Sequence, residues 1–306
     1  MKKPISANDN STAADISLPF MLEKSGIRGR IVRLHNSADK ILSQHTYPFH
    51  VSAALGDLLT LASLIGSTLK IEGILSLQAQ GDGPINYMVA EYSNNGNLRA
   101  YASLRDINRL KKWEKTPALP RSIEELFGKG FLAISIDGRM YKEQYQGIVE
   151  LSGLSLAENI CKYFKQSEQL ETEFFLSTLK PDTKKSAAGV MIQRLPQQKS
   201  ETENSPADEW ENAAVLLASL TDAELLDPQL PSEDIIFRLY HQETIRIFPA
   251  TILSARCRCN REKMLNVIIS LSPNDRESLY NEENLIDVEC QFCGKHENFY
   301  RQDCEK

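Results

Sequence analysis

Four cysteines near the end of the sequence stand in two tight pairs, Cys257-x-Cys259 and Cys290-x-x-Cys293, separated by residues 260–289. Zn²⁺ prefers four soft ligands in a tetrahedron, and two thiolates from each of two turns supply that arrangement. The spacing therefore predicts one zinc ion bound by all four cysteines. Because no coordination position is left open for water, such a zinc is structural or regulatory and not hydrolytic.

Other interpretations of the cysteine pattern stay open at this point. The pairs can be unconnected surface thiols, or Cys290-x-x-Cys293 can be a thioredoxin-type redox site, although no βαβ pattern follows it. His296 is close enough in the sequence to replace one cysteine as a ligand. The zinc can also be purely structural, without any regulatory role.

The two pairs also suit a redox switch. At these spacings we expect disulfides to form only within each pair, and the small ring closed by a Cys-x-Cys disulfide is strained and easily reduced. Oxidation would exchange one long-range metal cross-link, worth on the order of 10–16 kcal/mol in structural zinc sites, for two local loops that constrain far less of the unfolded chain. The C-terminal domain should then unfold and leave the neighbouring segment without a packing partner.

Strand-like segments precede both cysteine pairs and are predicted to position them. Ile245–Leu253 leads into the first pair and Ile286–Glu289 leads into the second. Gly294 directly follows the second pair and allows a tight turn there. We expect these segments to bring the two pairs together while the intervening chain packs between them.

The chain before residue 180 shows strand alternation, turn signals and two helices. Predicted strands joined by hairpin turns are Ile74–Gln80, Ile85–Tyr92, Leu98–Leu104, Phe131–Ile136 and Arg139–Tyr145. Ser155 and Glu158 form a capping box that opens a helix to about Gln169. The apolar stretch Val51–Leu69 contains Asp57, and a carboxylate is costly inside a bilayer. This stretch is therefore predicted to be a buried core helix.

Residues 181–250 differ in composition from the chain on either side. They hold 6 Lys and Arg against 12 Asp and Glu, whereas the flanking segments are nearly neutral. Short helical patches are predicted at Ala187–Leu195, at Trp210–Leu220 and after a Thr221-x-x-Glu224 capping box. Each patch is too short to be stable alone in water, so the segment is predicted to be a linker of marginal stability.

The predicted fold class is α+β, with an N-terminal mixed α/β core domain, a helical metastable linker and a small C-terminal zinc-binding domain. The boundaries are a disordered tail at 1–17, the α+β core domain at 18–180, the helical linker at 181–250 and the four-cysteine redox-switch domain at 251–306. The N-terminus lacks the apolar run of a secretory signal, so we expect a cytoplasmic protein without membrane association. No segment has the basic stripe typical of nucleic-acid binding.

Further distinctive blocks accompany the cysteine pattern along the chain. They are Leu77–Pro84, Tyr163–Gln169, Ala188–Pro196, Tyr240–Arg246 and Arg261–Lys263. Together with the two cysteine pairs, these blocks resemble the bacterial 33 kDa heat-shock protein family, the redox-regulated holdase chaperones. The likeness runs from about Ile27 to Phe299.

The resemblance implies a function and the residues that perform it. Under reducing conditions the four cysteines hold one Zn²⁺ and the chaperone is inactive. Oxidants produce the disulfides Cys257–Cys259 and Cys290–Cys293, zinc is released and the linker unfolds. The oxidised form, typically a homodimer, then binds unfolding client proteins without ATP and prevents their aggregation. The chain is therefore not expected to be an enzyme.

Two positions depart from the family pattern, and one further cysteine lies outside it. Gln242 stands where the family more often has a glutamate. Cys304 is an extra thiol that can mispair on oxidation, although a surface cysteine without a role is the simpler interpretation. Cys161 is predicted to be a buried core thiol.

Client binding requires apolar surface that becomes exposed, because patches of this kind mark interaction sites. The linker patches are predicted to supply it when the linker unfolds, and in the reduced state the same side chains can be ordinary core contacts. The candidate client-binding residues are Val190, Met191, Ile192, Val215, Leu216, Leu217 and Leu220.

Two other functions are compatible with the cysteine site. A zinc-ribbon nucleic-acid-binding protein is the alternative prediction, because Arg256, Arg258 and Arg261 cluster at the first cysteine pair. The balance of 8 basic against 10 acidic residues in 251–306 counts against it. A disulfide oxidoreductase is the other alternative, and turnover in an insulin-reduction assay would identify it.

Overall fold

The structure, a computed structural model, describes residues 14–69, 73–93, 95–114, 122–138, 145–178, 185–195 and 206–304. The chain forms two compact units, one ending at Ala255 and the other beginning at Arg256. The first unit contains helices and two sheets in which most neighbouring strands are antiparallel. The second unit contains the cysteine pairs.

Strands in the described residues make up three sheets. They are β1 (Ile16–Leu22), β2 (Ile27–Leu34), β3 (Gly73–Gly81), β4 (Ile85–Ser93), β5 (Asn97–Leu104), β6 (Gly130–Gly138), β7 (Tyr145–Glu150), β8 (Thr172–Thr178), β9 (Ala187–Arg194), β10 (Ile245–Ile247), β11 (Thr251–Ile252), β12 (Ser254–Ala255), β13 (Leu285–Glu289) and β14 (His296–Tyr300). Sheet A has the order β10-β1-β2-β9-β8, with β11 also paired to β1. Sheet B has the order β12-β5-β4-β3-β6-β7, and β13 pairs with β14 alone.

Helices cover both sheets and form much of the second unit. They are α1 (Asn36–Leu42), α2 (Phe49–Gly66), α3 (Ile107–Glu114), α4 (Ile123–Phe127), α5 (Leu156–Tyr163), α6 (Pro206–Ala218), α7 (Asp222–Leu226), α8 (Ser232–Tyr240), α9 (Arg261–Ile269), α10 (Pro273–Ser278) and α11 (Arg301–Cys304). A π-helical turn, Phe164–Glu168, continues α5.

Helix α2 occupies the core of the first unit, between the two sheets. It is apolar and long enough to cross a membrane, yet 83% of it is buried inside the protein, which confirms the predicted core helix. Its side chains share one hydrophobic cluster with residues of both sheets, such as Val32 of β2 and Leu77 of β3. Gly189 of β9 permits the close approach of α2, because a Cβ at this position would lie 2.7 Å from the Thr60 methyl group.

The other face of sheet A is covered by α6, α7 and α8, and these contacts form a second hydrophobic cluster. Strand β2 contributes Ile27 and Ile31 to this cluster, while Val32 and Leu34 point into the α2 core. Because successive side chains of a strand point to opposite faces, sheet A is buried on both sides. The helices α6, α7 and α8 of the region predicted as a linker are therefore the cover of an apolar sheet face, whereas β9 and β10 of the same region are strands of sheet A itself.

Arg33 attaches this helical cover to the sheet. Its side chain is only 4% exposed, and its guanidinium donates hydrogen bonds to the backbone oxygens of Asp227 and Leu230, the latter at 2.5 Å. Burial lowers the pKa of Arg33, and the nearby Asp227 carboxylate opposes that shift. The loop between α7 and α8 is thus held to β2 by a buried cation.

Most of the elements predicted for the core domain are confirmed, and one helix is wrong. The strands predicted from Ile74 to Leu104 are β3, β4 and β5, and the predicted helix at Trp210–Leu220 is α6. The helical patch predicted at Ala187–Leu195 is wrong, because Ala187–Arg194 form β9. Nearly every residue of β9 is buried, so its sequence lacks the alternation that marks a half-exposed strand.

Other predictions are altered at the ends of elements. Ile16 and Ser17, assigned to the disordered tail, belong to β1, and residues 1–13 lie outside the described part. Most of the return strand predicted at Arg139–Tyr145 also lies outside it, and β7 begins at Tyr145. The Ser155 side chain accepts from the Glu158 amide, but the Glu158 carboxylate accepts from Leu154 and not from Ser155.

The Arg33 contacts generate a stability prediction. Arg33→Leu leaves two backbone carbonyls without their donor, which costs about 1–3 kcal/mol. We expect the amides of α7 and α8 to exchange with deuterium about tenfold faster or more in the reduced protein. Hydrogen–deuterium exchange with mass spectrometry measures this. Arg246→Leu is the matched control, because the Arg246 side chain is 63% exposed in its ion pair with Glu23. Equal exchange in both variants would show that Arg33 does not hold the cover.

Candidate metal centre

The two cysteine pairs lie at the ends of short regular elements in the second unit. Cys257 and Cys259 precede α9, whose N-terminus is capped by the Asn260 side chain accepting from the Lys263 amide at 2.8 Å. Cys290 and Cys293 lie in the turn between β13 and β14. The Cys293 and Gly294 amides both donate to the Cys290 carbonyl, at 3.1 and 2.8 Å.

Gly294 closes this turn with a φ of +62°. Glycine adopts this left-handed conformation at little cost because it has no Cβ. The Cys290 amide then donates to the Lys295 carbonyl at 2.9 Å, which returns the chain into β14. The tight turn expected from Gly294 is thus present, and it places both sulfurs of the second pair on one side.

The four sulfur atoms converge. The Sγ atoms of Cys257, Cys259, Cys290 and Cys293 lie within 4.8 Å of one another. Cys257 Sγ is 3.7 Å from Cys290 Sγ, and Cys259 Sγ is 3.4 Å from Cys293 Sγ. Four sulfurs at about 2.3 Å from a tetrahedral zinc are separated by roughly 3.8 Å from each other. The donor set and its spacing therefore fit a tetrahedral metal ion such as Zn²⁺.

This geometry also corrects one expectation from the sequence. Both of these short sulfur contacts join a cysteine of one pair to a cysteine of the other. Proximity therefore does not restrict disulfides to the members of each pair, because a cross-pair bond would need a movement of less than about 2 Å to reach the disulfide length. The choice of pairing must come from other causes.

The thiols influence one another electrostatically. Burial raises the pKa of Cys257, but hydrogen bonds from the Cys259 amide and the other thiols outweigh it and lower the pKa to about 7. Burial and the same contacts raise the pKa of Cys259. A first thiolate is thus stabilised by donors from its neighbours, and a bound cation would supply the charge needed to deprotonate the remaining thiols.

The other polar groups near the site are engaged elsewhere. His296, the possible competing ligand, has its Nδ1 3.0 Å from an Asp287 carboxylate oxygen on the facing strand. In the described part of the chain, the metal-ligand cluster consists of the four cysteines and does not include His296. Arg261 pairs with Glu297 and Asp303, so one of the arginines that suggested nucleic-acid binding is matched by carboxylates.

The hydrophobic core of the second unit is small. Its buried members are Met264, Ile268, Ile286, Phe299 and Cys304. Domains of this size usually need a metal or disulfides because a single small core stabilises them too little. The surface position expected for Cys304 is wrong, since its side chain is only 3% exposed. Cys161 is half-buried, and burial raises the pKa of its thiol to about 12.

The candidate client-binding residues occupy three different environments. Val190, Ile192, Leu217 and Leu220 share the cluster between sheet A and its helical cover. Met191 points to the opposite face, into the α2 core. Val215 and Leu216 are 69% and 39% exposed on α6.

Sequence reasoning missed the partners of this cluster in β1 and β2. Leu18, Phe20 and Ile31 complete the apolar face of sheet A. The spacing of Leu18, Phe20 and Leu22 is a period of two, which is typical of one strand face. That signal was present at the start of the predicted core domain, although no strand was predicted there and the first two residues of β1, Ile16 and Ser17, were assigned to the tail.

Comparison with known proteins decides the family. The profile described as "Hsp33 protein" matches residues 15–300. The chain belongs to the Hsp33 family. A relative from Pseudoalteromonas atlantica named "33 kDa chaperonin" is 36% identical over 284 residues, covering 92% of this chain and 90% of the relative. A "33 kDa chaperonin" from Proteus mirabilis is 34% identical over 284 residues, covering 93% and 92%.

The Hsp33 fold is also found in a solved structure. The crystal structure of the 33 kDa chaperonin from Thermotoga maritima superimposes with a TM-score of 0.79, covering 95% of this chain and 97% of that one at 22% identity. The resemblance inferred from the sequence blocks and the α+β fold class are both confirmed. Because Hsp33 proteins are non-enzymatic chaperones, the prediction that this chain is a chaperone and not an enzyme is confirmed as well.

The metal site generates a prediction about the four sulfurs. Cys290→Ala removes one of four ligands, which lowers the binding free energy by about 3 kcal/mol if structural zinc contributes on the order of 10–16 kcal/mol. We expect metal affinity to fall more than a hundredfold and the amides of α9 to lose protection from exchange. Metal content is measured by inductively coupled plasma mass spectrometry. Cys161→Ala keeps the cluster and should retain one metal per chain. Full metal content in Cys290→Ala would contradict the four-sulfur site.

Proposed function

We propose that the chain is a redox-regulated, ATP-independent holdase that is inactive when reduced and zinc-bound. The observation that carries this proposal is the convergence of four sulfurs from two distant segments in a unit with a small core. In the reduced protein Cys257, Cys259, Cys290 and Cys293 hold one Zn²⁺. When bound, the ion supplies a cross-link and positive charge that keeps the thiols ionised.

Oxidation removes these ligands. Each pair of zinc-bound thiolates gives two electrons to an oxidant such as hydrogen peroxide, which takes up two protons from the solvent and is reduced to two waters, and one disulfide forms. A disulfide sulfur is no longer a thiolate ligand, so formation of the disulfides Cys257–Cys259 and Cys290–Cys293 releases the metal. Cross-pair bonds would keep the two segments connected, whereas local bonds release them. Local pairing is therefore the arrangement that the proposed switch requires.

We propose that the second unit unfolds once its metal is lost, and that this unfolding destabilises the helical cover of sheet A. Helices of the length of α6, α7 and α8 are marginal in water and depend on tertiary packing. Undocking would expose the apolar face of sheet A together with the inner faces of the helices. This surface includes Val190, Ile192, Leu217 and Leu220, and a large exposed apolar patch is the kind of surface that holds unfolding proteins. We propose this face, and not Met191, as the client site.

The remaining elements of the proposal concern partners and location. Clients are unfolding or misfolded proteins held without ATP, the oxidised form is a homodimer, and the protein acts in the bacterial cytoplasm without nucleic acid or membrane. The three-part division into core, linker and zinc domain also belongs to this proposal. The packing of α6, α7 and α8 on sheet A supports this division, because these helices form a cover that can detach from the sheet.

The switch is tested by titrating reduced, metal-loaded protein with peroxide or hypochlorite. We expect zinc release, followed with a chromogenic chelator, to coincide with suppression of citrate synthase aggregation. Reduction with a thiol should restore the inactive state once zinc is supplied. Zinc release without a gain in aggregation suppression would leave a protein with a purely structural metal.

Disulfide mapping tests the pairing separately. Trypsin cleaves after Arg258, so a Cys257–Cys259 bond joins two short peptides that otherwise separate. Cys290 and Cys293 lie in one tryptic peptide, 277–295, which under local pairing is cross-linked to no other peptide. Mass spectrometry distinguishes this result from cross-pair bonds, which would couple the 277–295 peptide to those of the first pair.

The client surface is tested with two neighbouring positions of α6. Leu217 is 2% exposed and Val215 is 69% exposed, so Leu217→Ser weakens docking of the cover by about 2–5 kcal/mol while Val215→Ser leaves docking unchanged. We expect reduced Leu217→Ser protein to suppress citrate synthase aggregation without oxidant, whereas reduced Val215→Ser stays inactive. Equal inactivity of both reduced variants, with faster amide exchange in α6 of Leu217→Ser, would show that undocking does not produce a client site.

A further inference from the structure

A pocket of about 280 Å³ opens at one end of the space between sheets A and B. Its walls are apolar and come from several elements. They include Ile65 of α2, Ile134 and Ile136 of β6, Met191 of β9, Phe164 and Leu170. Pockets that bind small ligands combine apolar walls with a few fixed polar groups, so the polar groups of this pocket decide what it can hold.

Arg28 of β2 is the cationic group of the pocket, and its orientation is fixed. Its Nε donates to Gln193 Oε1 at 3.0 Å. Gln193 is itself 2% exposed and is held by a hydrogen bond from its Nε2 to Thr172 Oγ1 at 2.9 Å. The described residues provide no carboxylate within ion-pair distance of Arg28, which leaves the two terminal nitrogens of its guanidinium as donors for a ligand.

Arg30 adds a second cation on the same face of β2. Its Nη1 donates to Ser17 Oγ at 3.2 Å, and its buried Nε has no hydrogen-bond partner among the described residues. Burial lowers the pKa of Arg30 to about 10, opposed by Tyr92, and the charge of Arg28 lowers it further. Buried charges in proteins are normally paired. Two adjacent, half-buried arginines without a carboxylate partner in the described chain are therefore an unsatisfied positive site.

The C-terminus of α2 offers only partial compensation for these charges. Ser17 Oγ also lies 2.8 Å from the Oγ of Ser67, the residue that ends α2. A helix end carries about half an elementary charge, less than the charge of one guanidinium. An external anion is the group that would complete the site.

The opposite rim is fixed by an unusual backbone segment. The π-helical turn Phe164–Glu168 places Phe164 in the wall and Glu168 at the rim. The Glu168 carboxylate accepts hydrogen bonds from the Tyr145 and Tyr163 hydroxyls, at 2.5 and 2.9 Å. Its charge is thereby engaged and lies near solvent. π-helical turns of this kind occur frequently at functional sites.

We propose that this pocket binds a single-chain anionic amphiphile, with its carboxylate on Arg28 and its alkyl chain between the apolar walls. The volume admits one short or medium chain and excludes a two-chain lipid. The proposal concerns the first unit alone and does not depend on the redox switch.

Decanoate, used below its micelle concentration with the reduced, metal-loaded full-length protein, is the probe. Isothermal titration calorimetry should show one saturable site. Decanol has the same chain without charge, and acetate has the charge without the chain. Decanol cannot form the charge-assisted hydrogen bonds to Arg28, which are among the strong ones, and acetate cannot bury an alkyl chain. We therefore expect decanol and acetate each to bind at least about tenfold more weakly than decanoate.

Two variants locate the site. Arg28→Gln should weaken decanoate binding about tenfold or more, while Arg105→Gln is the matched control, since Arg105 is exposed and contacts Gly83 and Asn86. Leu170→Trp keeps both arginines but fills the pocket and should abolish binding. Circular dichroism and metal content confirm folding, and if Leu170→Trp does not fold, the two arginine variants decide the result.

Three results would overturn the assignment. These are equal affinity in Arg28→Gln and Arg105→Gln, equal binding of decanol and decanoate, and the absence of saturable decanoate binding. The first two would place the ligand on a general apolar surface of the protein. The third would mean that no such ligand completes the arginine pair.

Discussion

Four sulfur atoms from two segments of the chain converge to distances of 3.4 and 3.7 Å across the pairs, and the second unit depends on this convergence. Its hydrophobic core has five buried members, too few to offset the conformational entropy of a unit of this size without a cross-link. The turn at Gly294, the cap at Asn260 and the strands β13 and β14 all serve to place the sulfurs. A chemical change at sulfur is therefore a change in the stability of the whole unit.

The first unit has the opposite character. Its α2 core is large and continuous between two sheets, and the described residues of this unit contain no metal-ligand cluster. Its sensitive part is the other face of sheet A, where short helices cover an apolar surface and Arg33 anchors the loop that joins two of them. A platform covered by short helices is the physical basis of the proposed switch, in which the apolar surface would become available only after oxidation.

The convergence of the four cysteines was predictable because thiol chemistry and the spacing within each pair already indicate that the four sulfurs meet. The strands around Gly81 and Gly96 were predictable as well, since turn residues and alternation lie close together in the sequence. Strand β9 was not, because burial on both faces removes its period and only the pairing with β2 and β8 identifies it. The buried position of Cys304 and the placement of Arg28 in the pocket likewise follow from tertiary packing, which spacing along the chain does not encode.

The topology of sheet A has a consequence for synthesis. Strand β1, at residues 16–22, is completed on one side by β2 and on the other by β10 and β11, at residues 245–252. At about 5–20 residues per second, the ribosome needs roughly 10–50 s to deliver the second neighbour after the first strand has emerged. During that interval the nascent chain carries an open strand edge next to an uncovered apolar face. This chaperone thus passes through a period during its own synthesis in which an apolar surface and a strand edge are exposed to aggregation.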